Sequence, residues 1–438
     1  MTDIYFYLFI GLLVFGIFPI LRSSVFAYQY GGFMPLVFAI FILPQVVSLM
    51  SFPGILPPDA VEAVLLMTCL CLAASIFGYR LKPWKALSRS ATVHAKEGPL
   101  LIGGIVLLAT SAYFNFLISQ MTEEETGGSM WTGKVTIYLF FTGGTYLATA
   151  IFLRHALVRR SEPAFLLFLL SLISPLQAAI FAGRRENTVQ ILMTIGLVLY
   201  FEKGIKPPRL AVIGSAALAM LMIPATGTYR SIATNRDWDQ LQQLDLVENF
   251  KTFLTTESNL ELRLAGVTIY NTMHRGDYVY GVGYWDEIIW RFVPAQFVGK
   301  GFKDSLMFAR TDELGVDEGG ERAANVGTTQ TGMADSFRQF GYFGALFFVL
   351  AAVFYKSIWY AATRKGAVFA QFFYIGTATS GMRAVTHQTS DFLPGVIYQL
   401  IFVGFLYLIA HREESSGHGG GRLAHLRPRE DDPAAQRP

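Results

Sequence analysis

The chain has 438 residues, 53% hydrophobic and only 15% charged, with a net charge of +3. A soluble protein carries about 25% charged residues, which excludes a soluble globular class. So small a net charge, with no basic stripe, also excludes nucleic acid as a partner.

The apolar residues are gathered in uncharged runs long enough to cross a hydrocarbon core of about 30 Å, not in the short alternating segments of a β-barrel. Eleven runs qualify, roughly 4–21, 33–52, 60–79, 99–119, 135–153, 163–181, 187–201, 210–226, 341–360, 366–382 and 392–410. The fold class predicted is therefore all-α, a polytopic membrane protein of about eleven transmembrane helices (10–12). The seventh run is short, and the tenth is interrupted by Gly and Thr. The first run has neither a basic leader nor a small-residue cleavage site and reads as a retained helix. Cys69 and Cys71, two apart in the third run, face apart on a helix and are poor disulfide partners.

Basic residues in the short loops set the expected orientation. The loop after the third run, RLKPWKALSRSATVHAKEG, carries Arg80, Lys82, Lys85, Arg89 and Lys96. The loop after the fifth carries Arg154, Arg159 and Arg160, that after the seventh Lys203, Lys206 and Arg209, and that after the ninth Arg364 and Lys365. The alternate loops, SFPGILPPD and MTEEETGGSMWTGK, are depleted in basic residues. The odd-numbered loops are expected in the cytoplasm, with the N-terminus outside and the C-terminus inside. The division along the chain is 1–226 for eight membrane helices, 227–340 for one large external loop and 341–410 for three more helices. The remainder, 411–438, is a Gly/Pro/charge-rich tail expected to be disordered.

Three sites break the charge rule at the external boundary. FAGRREN, with Arg184, Arg185 and Glu186, follows the sixth run; Arg230 follows the eighth; Arg383 follows the tenth. One exception means little, but three at one boundary suggest an anion site. Arginine binds phosphate bidentately and stays charged, so a cluster suits a diphosphate and the charge that grows on it as a leaving group. A carboxylate in reach of an attacking hydroxyl supplies a general base. No metal-ligand spacing, P-loop, nucleophile elbow or dinucleotide turn is present, so neither metal nor cofactor is expected.

Within the large loop, WDQLQQLDLVENFKTFL and ESNLELRLAGVTIYNTM have helical periodicity with a polar face. In YVYGVGYWDEIIWRFVPAQFVGKGFKD, Trp285, Trp290, Phe292 and Phe297 alternate with charges, as in a helix at a membrane interface; a buried helix of a small external domain fits almost as well. The stretch VDEGGERAANVGTTQTGMADSFRQFGYFGALFF closes the loop. Asp335 and Arg338, three apart, share a helix face there and either pair with each other or turn the acid toward a cavity.

FAGRREN, the YVYGVGYWDEIIWRFVPAQFVGKGF segment and TTQTGMADSFRQFGYFGALF, in this order, resemble the Wzy-type O-antigen and oligosaccharide repeat-unit polymerases. These are metal-independent integral membrane glycosyltransferases of C-type topology. The likeness covers the second half of the chain. It departs from the family pattern at Asp335, where Glu is more usual, and at Ala295, where a basic residue usually follows the proline; Arg291 stands one turn earlier. The resemblance implies transfer of a growing glycan from an undecaprenyl diphosphate carrier to a lipid-linked repeat unit, at the periplasmic face of a bacterial inner membrane. It implies diphosphate contacts from Arg184, Arg185, Arg230 and Arg383, and phosphate or carrier contacts from Arg291 and Lys300. It also implies a base among Asp335 and Glu186, and sugar or interface contacts from Trp285, Trp290 and His387. The implied partners are undecaprenyl diphosphate-linked oligosaccharides, membrane lipids, a chain-length regulator and a flippase. The alternatives are an O-antigen ligase, or a transporter or flippase of lipid-linked glycan. A transporter would show charged mid-membrane helices and an internal repeat, which this chain lacks.

Overall fold

A computed structural model describes residues 2–89, 95–122, 134–258, 260–308, 329–364 and 366–411, and every named element among them is helical. The predicted tail beyond 411, most of the acidic loop around 123–133 and the Gly/Thr/Asn-rich stretch around 309–328 lie outside the described residues. The first eight long helices are α1 (Thr2–Arg22), α2 (Tyr30–Ser51), α3 (Pro58–Arg80), α4 (Glu97–Ser119), α5 (Lys134–Arg159), α6 (Glu162–Ile180), α7 (Arg185–Lys203) and α8 (Arg209–Asn235). Four shorter helices follow: α9 (Leu246–Thr255), α10 (Glu261–Arg275), α11 (Val282–Phe292) and α12 (Gly332–Phe340). The chain then re-enters the bundle as α13 (Leu346–Ala362), α14 (Val368–Thr386) and α15 (Phe392–Ala410).

Local chemistry accounts for the boundaries. Ser161 caps α6 by accepting from the Ala164 amide, with Pro163 in the first turn. Gly204, at φ 66°, closes α7 in the left-handed conformation that glycine adopts without strain. A wide turn at Phe38–Ile42 within α2 precedes Pro44, whose missing N–H cannot close an ordinary α turn. Cys69 and Cys71 are buried, separate thiols in α3.

Nine helices among the described residues are long and apolar enough to cross a membrane, with α12 and α13 counted as one continuous segment. The chain is a polytopic helical membrane protein on that evidence. The predicted runs 187–201 and 366–382 do form helices, α7 and α14, each of 19 residues, or about 28 Å. Both are too polar to count among the nine. The reason is their position: α7 and α14 pack on each other and on α5, and most of α14 is buried, including Gln371, Thr377, Thr379 and Ser380. Polar side chains facing protein find partners, as Thr377 does in the Phe373 carbonyl, and need not be apolar as a lipid-facing helix must. In contrast α1, α4, α6 and α8 leave most of their length open, with Leu166, Ile102 and Leu210 outward.

Successive helix ends gather at two opposite ends of the bundle. At the first, Arg209 donates to the Arg22 carbonyl at 3.0 Å, the Lys96 amide to Ala410 at 2.7 Å, and Lys356 Nζ to Leu81 at 2.7 Å. There Arg154 is buried between Glu97 at 2.8 Å and Glu202 at 2.9 Å. These contacts join the loops expected to share one side. At the second end, Gln45 accepts from the Leu262 amide at 2.9 Å, and the buried Arg263 donates to the Phe52 carbonyl at 2.6 Å. The described parts of the segment 227–340 fold onto this second end. There α9 packs on α8 and α2, and α10 on α3 and α12.

Two sequence expectations need correction. The eighth helix runs to Asn235, so Arg230 lies within it and not after it; Arg383 likewise sits in the last turn of α14. Asp335 and Arg338 share a helix as expected: it is α12, the first part of the segment Gly332–Ala362, which a 3-10 turn at Gly341–Ala345 joins to α13. Gly341 has φ 59° and ψ −143°, a conformation effectively restricted to glycine. At Gly344 a Cβ would overlap the Ser336 carbonyl, so Phe-Gly-x-x-Gly records a backbone turn.

Candidate functional site

The N-terminus of α7, the C-terminus of α14 and the turn that follows it meet at the second end of the bundle. Gly183 takes φ 57°, and a Cβ there would press on Arg230 Cγ. That fit brings α8 against the FAGRREN turn: Arg230 Nη2 reaches the Gly183 carbonyl at 3.4 Å, and the Tyr229 hydroxyl donates to Ile180 at 2.5 Å. Arg184 occupies the cap position of α7 and is exposed. Arg185 is half-buried, with its guanidinium 5.7 Å from the centre of the Phe41 ring. Glu261 of α10 and Arg230 lie within electrostatic range of it.

Glu186, next on α7, forms an ion pair with Arg383 of α14, Oε1 to Nε at 2.8 Å. Tyr146 of α5 feels the charges of Glu186, Arg383 and Arg184. His387, one residue beyond α14, lies in the fields of Arg383, Glu186, Asp391 and Arg185. Its side chain is exposed, and Nδ1 is 2.9 Å from the Thr386 hydroxyl. Loss of solvation, then the Arg383 charge, hold this imidazole below its ordinary value, so it is neutral at pH 7. Two adjacent arginines at a helix N-terminus oppose the macrodipole, leaving a positive potential only partly offset by Glu186 and Glu261. The chain thus brings Arg184, Arg185, Glu186, Arg230, Arg383 and His387 into one cluster from four segments.

Arg291 and Asp335 sit behind this cluster and are already engaged. The guanidinium of buried Arg291 binds Glu287, one turn earlier on α11, and Asp391, a hundred residues away in the turn before α15. Burial pushes the Glu287 carboxyl up, against the pull of Arg291. Asp335 is buried, and both of its oxygens accept: Oδ2 from the Thr389 hydroxyl at 2.5 Å and the Ser390 amide at 2.9 Å, Oδ1 from Gln339 at 3.3 Å. Arg338 acts on Asp335 only through space. A carboxylate so occupied clamps α12 to the turn at Thr389–Asp391, and an arginine held by two carboxylates is not free to grip phosphate.

Lys300, Trp285 and Trp290 stand apart from the cluster. On α11 Tyr284 and Phe292 pack inward against Phe347 and Tyr398, alongside the charged Asp286 and Arg291, and Trp285 faces outward. Asp286 and Arg291 are buried, whereas Trp285, Phe297, Phe302 and Phe308 are exposed. Trp285 donates its indole N–H to Leu306 at 2.9 Å, and Lys300 is exposed on the short helix after α11. Lys303 is the buried lysine, donating to the Trp290 carbonyl at 2.7 Å with its ammonium 4.8 Å from that ring. An amphipathic surface with its apolar side outward suits a bilayer and not water.

No family model matches the chain, and neither does any curated protein or solved structure. The functional reading rests on the residues themselves. Sequence reasoning missed Asp391, Glu287, Lys303, Tyr146 and Tyr398, which joins the field of Arg291, Glu287 and Asp391. Only Glu287 was legible, at i−4 from Arg291 on a helical pattern. No group of His, Cys, Asp and Glu among the described residues is arranged to hold a metal ion.

Proposed function

We propose that this protein is a metal-independent glycosyltransferase of the repeat-unit polymerase type, acting on undecaprenyl diphosphate-linked glycans at the external face of a bacterial inner membrane. The observation that carries the reading is the meeting of Arg184, Arg185, Arg230 and Arg383 at one end of the bundle, around a helix N-terminus. Four guanidiniums against few carboxylates suit a ligand of high negative charge density, and a diphosphate presents planar oxygen edges to planar forks. The exposed aromatic side chains Trp285, Phe297, Phe302 and Phe308, on α11 and the segment after it, suit a substrate whose tail stays in the bilayer.

In the reaction, a sugar hydroxyl of the incoming repeat unit attacks the anomeric carbon of the growing glycan. The new glycosidic bond forms as the carbon–oxygen bond to the carrier diphosphate breaks. The bonding pair leaves with the diphosphate, where the arginines stabilise it. The hydroxyl proton passes to Glu186, the carboxylate at the cluster, with neutral His387 as a second acceptor. Asp335 and Arg291 serve as positioning residues, fixing the α12 and α11 sides of the site.

The test is glycan analysis of cells carrying Arg184→Ala or Arg185→Ala. Chain growth should be lost while the protein persists in the membrane at its normal level. Full polymer with either variant would remove the diphosphate role. A reporter-fusion map placing 227–340 in the cytoplasm would end the mechanism.

A further inference from the structure

A cavity lies at the opposite end from the arginine cluster. It has a volume of about 360 Å³ and is lined by Gln29, Tyr79, Lys356, Trp359, Tyr360 and Thr363. That size falls within the range of small-ligand sites. The walls come from the start of α2, the end of α3 and the end of α13.

Lys356 is the cavity's single charge, and no carboxylate lines it. Its ammonium gives one N–H to the Leu81 carbonyl at 2.7 Å and lies 5.6 Å from the centre of the Tyr79 ring, leaving two donors for another acceptor. A cation on an otherwise apolar membrane helix is costly unless something pairs with it. The polar rim is arranged around it: Tyr79 donates to Gln29 Oε1 at 2.8 Å, while Tyr360 and Thr363 remain open to solvent. The surrounding end is basic, with Arg22, Arg80 and Arg364 at the ends of α1, α3 and α13. Trp359 and Tyr79 are buried in the cavity floor, and Tyr360 is exposed at its edge, where an amphipathic ring suits a membrane–water boundary.

We propose that this cavity binds the phosphate of an anionic glycerophospholipid headgroup, with Lys356 as the charged contact and the Tyr360 and Thr363 hydroxyls reaching the headgroup's polar atoms. A single phosphodiester satisfies the lysine, the exposed Tyr360 ring lies beside the glycerol region, and the acyl chains remain in the bilayer beside α3 and α13. Polar pockets of this kind between membrane helices on a basic side are suited to such headgroups. The site is independent of the arginine cluster and does not rest on the polymerase reading.

The test uses the full-length protein, stripped of lipid in detergent, with lipid retention read by native mass spectrometry. The probes are phosphatidylglycerol, phosphatidylcholine and inorganic phosphate. Phosphatidylglycerol should bind the native chain, and Lys356→Met should weaken it about tenfold, as expected on losing a hydrogen bond to a charged group. Thr363→Glu, at an exposed position, should weaken it similarly by placing a carboxylate in the cavity, and keeps the test alive if Lys356→Met fails to fold. Lys251→Gln, at the other end, should have no effect. Equal retention of phosphatidylglycerol by folded Lys356→Met, or by Thr363→Glu where Lys356→Met does not fold, would overturn the proposal. So would equal retention of phosphatidylcholine, or binding of inorganic phosphate alone.

Discussion

Replacing Asp335 separates a structural carboxylate from a catalytic one. In Asp335→Ala, the Thr389 hydroxyl and the Ser390 amide lose their acceptor in a buried place, and Gln339 loses its partner across one helical turn. An unsatisfied buried donor costs about 1–3 kcal/mol. Two such donors, with partial relaxation, give a loss of about 3–5 kcal/mol, a large share of a typical stability of about 5–15 kcal/mol. Asp335→Asn keeps the volume and one oxygen but turns an N–H₂ toward existing donors, for a loss of about 1–2 kcal/mol. Thermal unfolding of detergent-purified protein, followed by tryptophan fluorescence, should rank wild type above Asn above Ala. Activity per folded molecule should fall far less than yield. A variant Asp335→Asn that melts like wild type but makes no polymer would refute this reasoning and restore the acid as a base.

Gly344→Ala forces a methyl into the Ser336 carbonyl, so a large drop in folded yield is expected on gel filtration; normal yield would contradict the tight turn. Arg154→Ala leaves Glu97 and Glu202 without their cation, and a loss of about 3–5 kcal/mol should appear as a lower melting temperature; an unchanged melt would count against the triad. His387 titrates below its ordinary value in the folded chain, so the unfolded state takes up the proton first as pH falls. Its contribution to stability should be constant above its unfolded value of about 6.5 and decline below it. Comparing melts at pH 7 and pH 5 for wild type and His387→Gln checks this: the substitution should flatten the decline, and identical profiles would contradict it.

The bundle was legible where helices face lipid, because there length and hydropathy are direct physical requirements. It was less legible at α7 and α14, whose polar residues are satisfied by neighbouring helices and so dilute the apolar signal. Charge placement against the positive-inside bias picked out Arg184, Arg185, Arg230 and Arg383, and these residues do converge. The family resemblance, not charge placement, implied a phosphate contact from Arg291, and nothing local reveals that Asp391 folds back onto it across a hundred residues. The polar role of Asp335 was similarly hidden, since its partners Thr389 and Ser390 belong to a turn between the last two helices. The basic cavity around Lys356 left no sequence signal at all; its walls come from three separate segments.

The most direct test of the central claim is the length distribution of surface and carrier-linked glycans in a strain lacking this gene, with and without the wild-type copy. The account predicts glycans capped with single repeat units in the deletion and full-length chains on complementation. Long carrier-bound chains beside uncapped acceptor would indicate a ligase instead, and an unchanged distribution would contradict the account altogether.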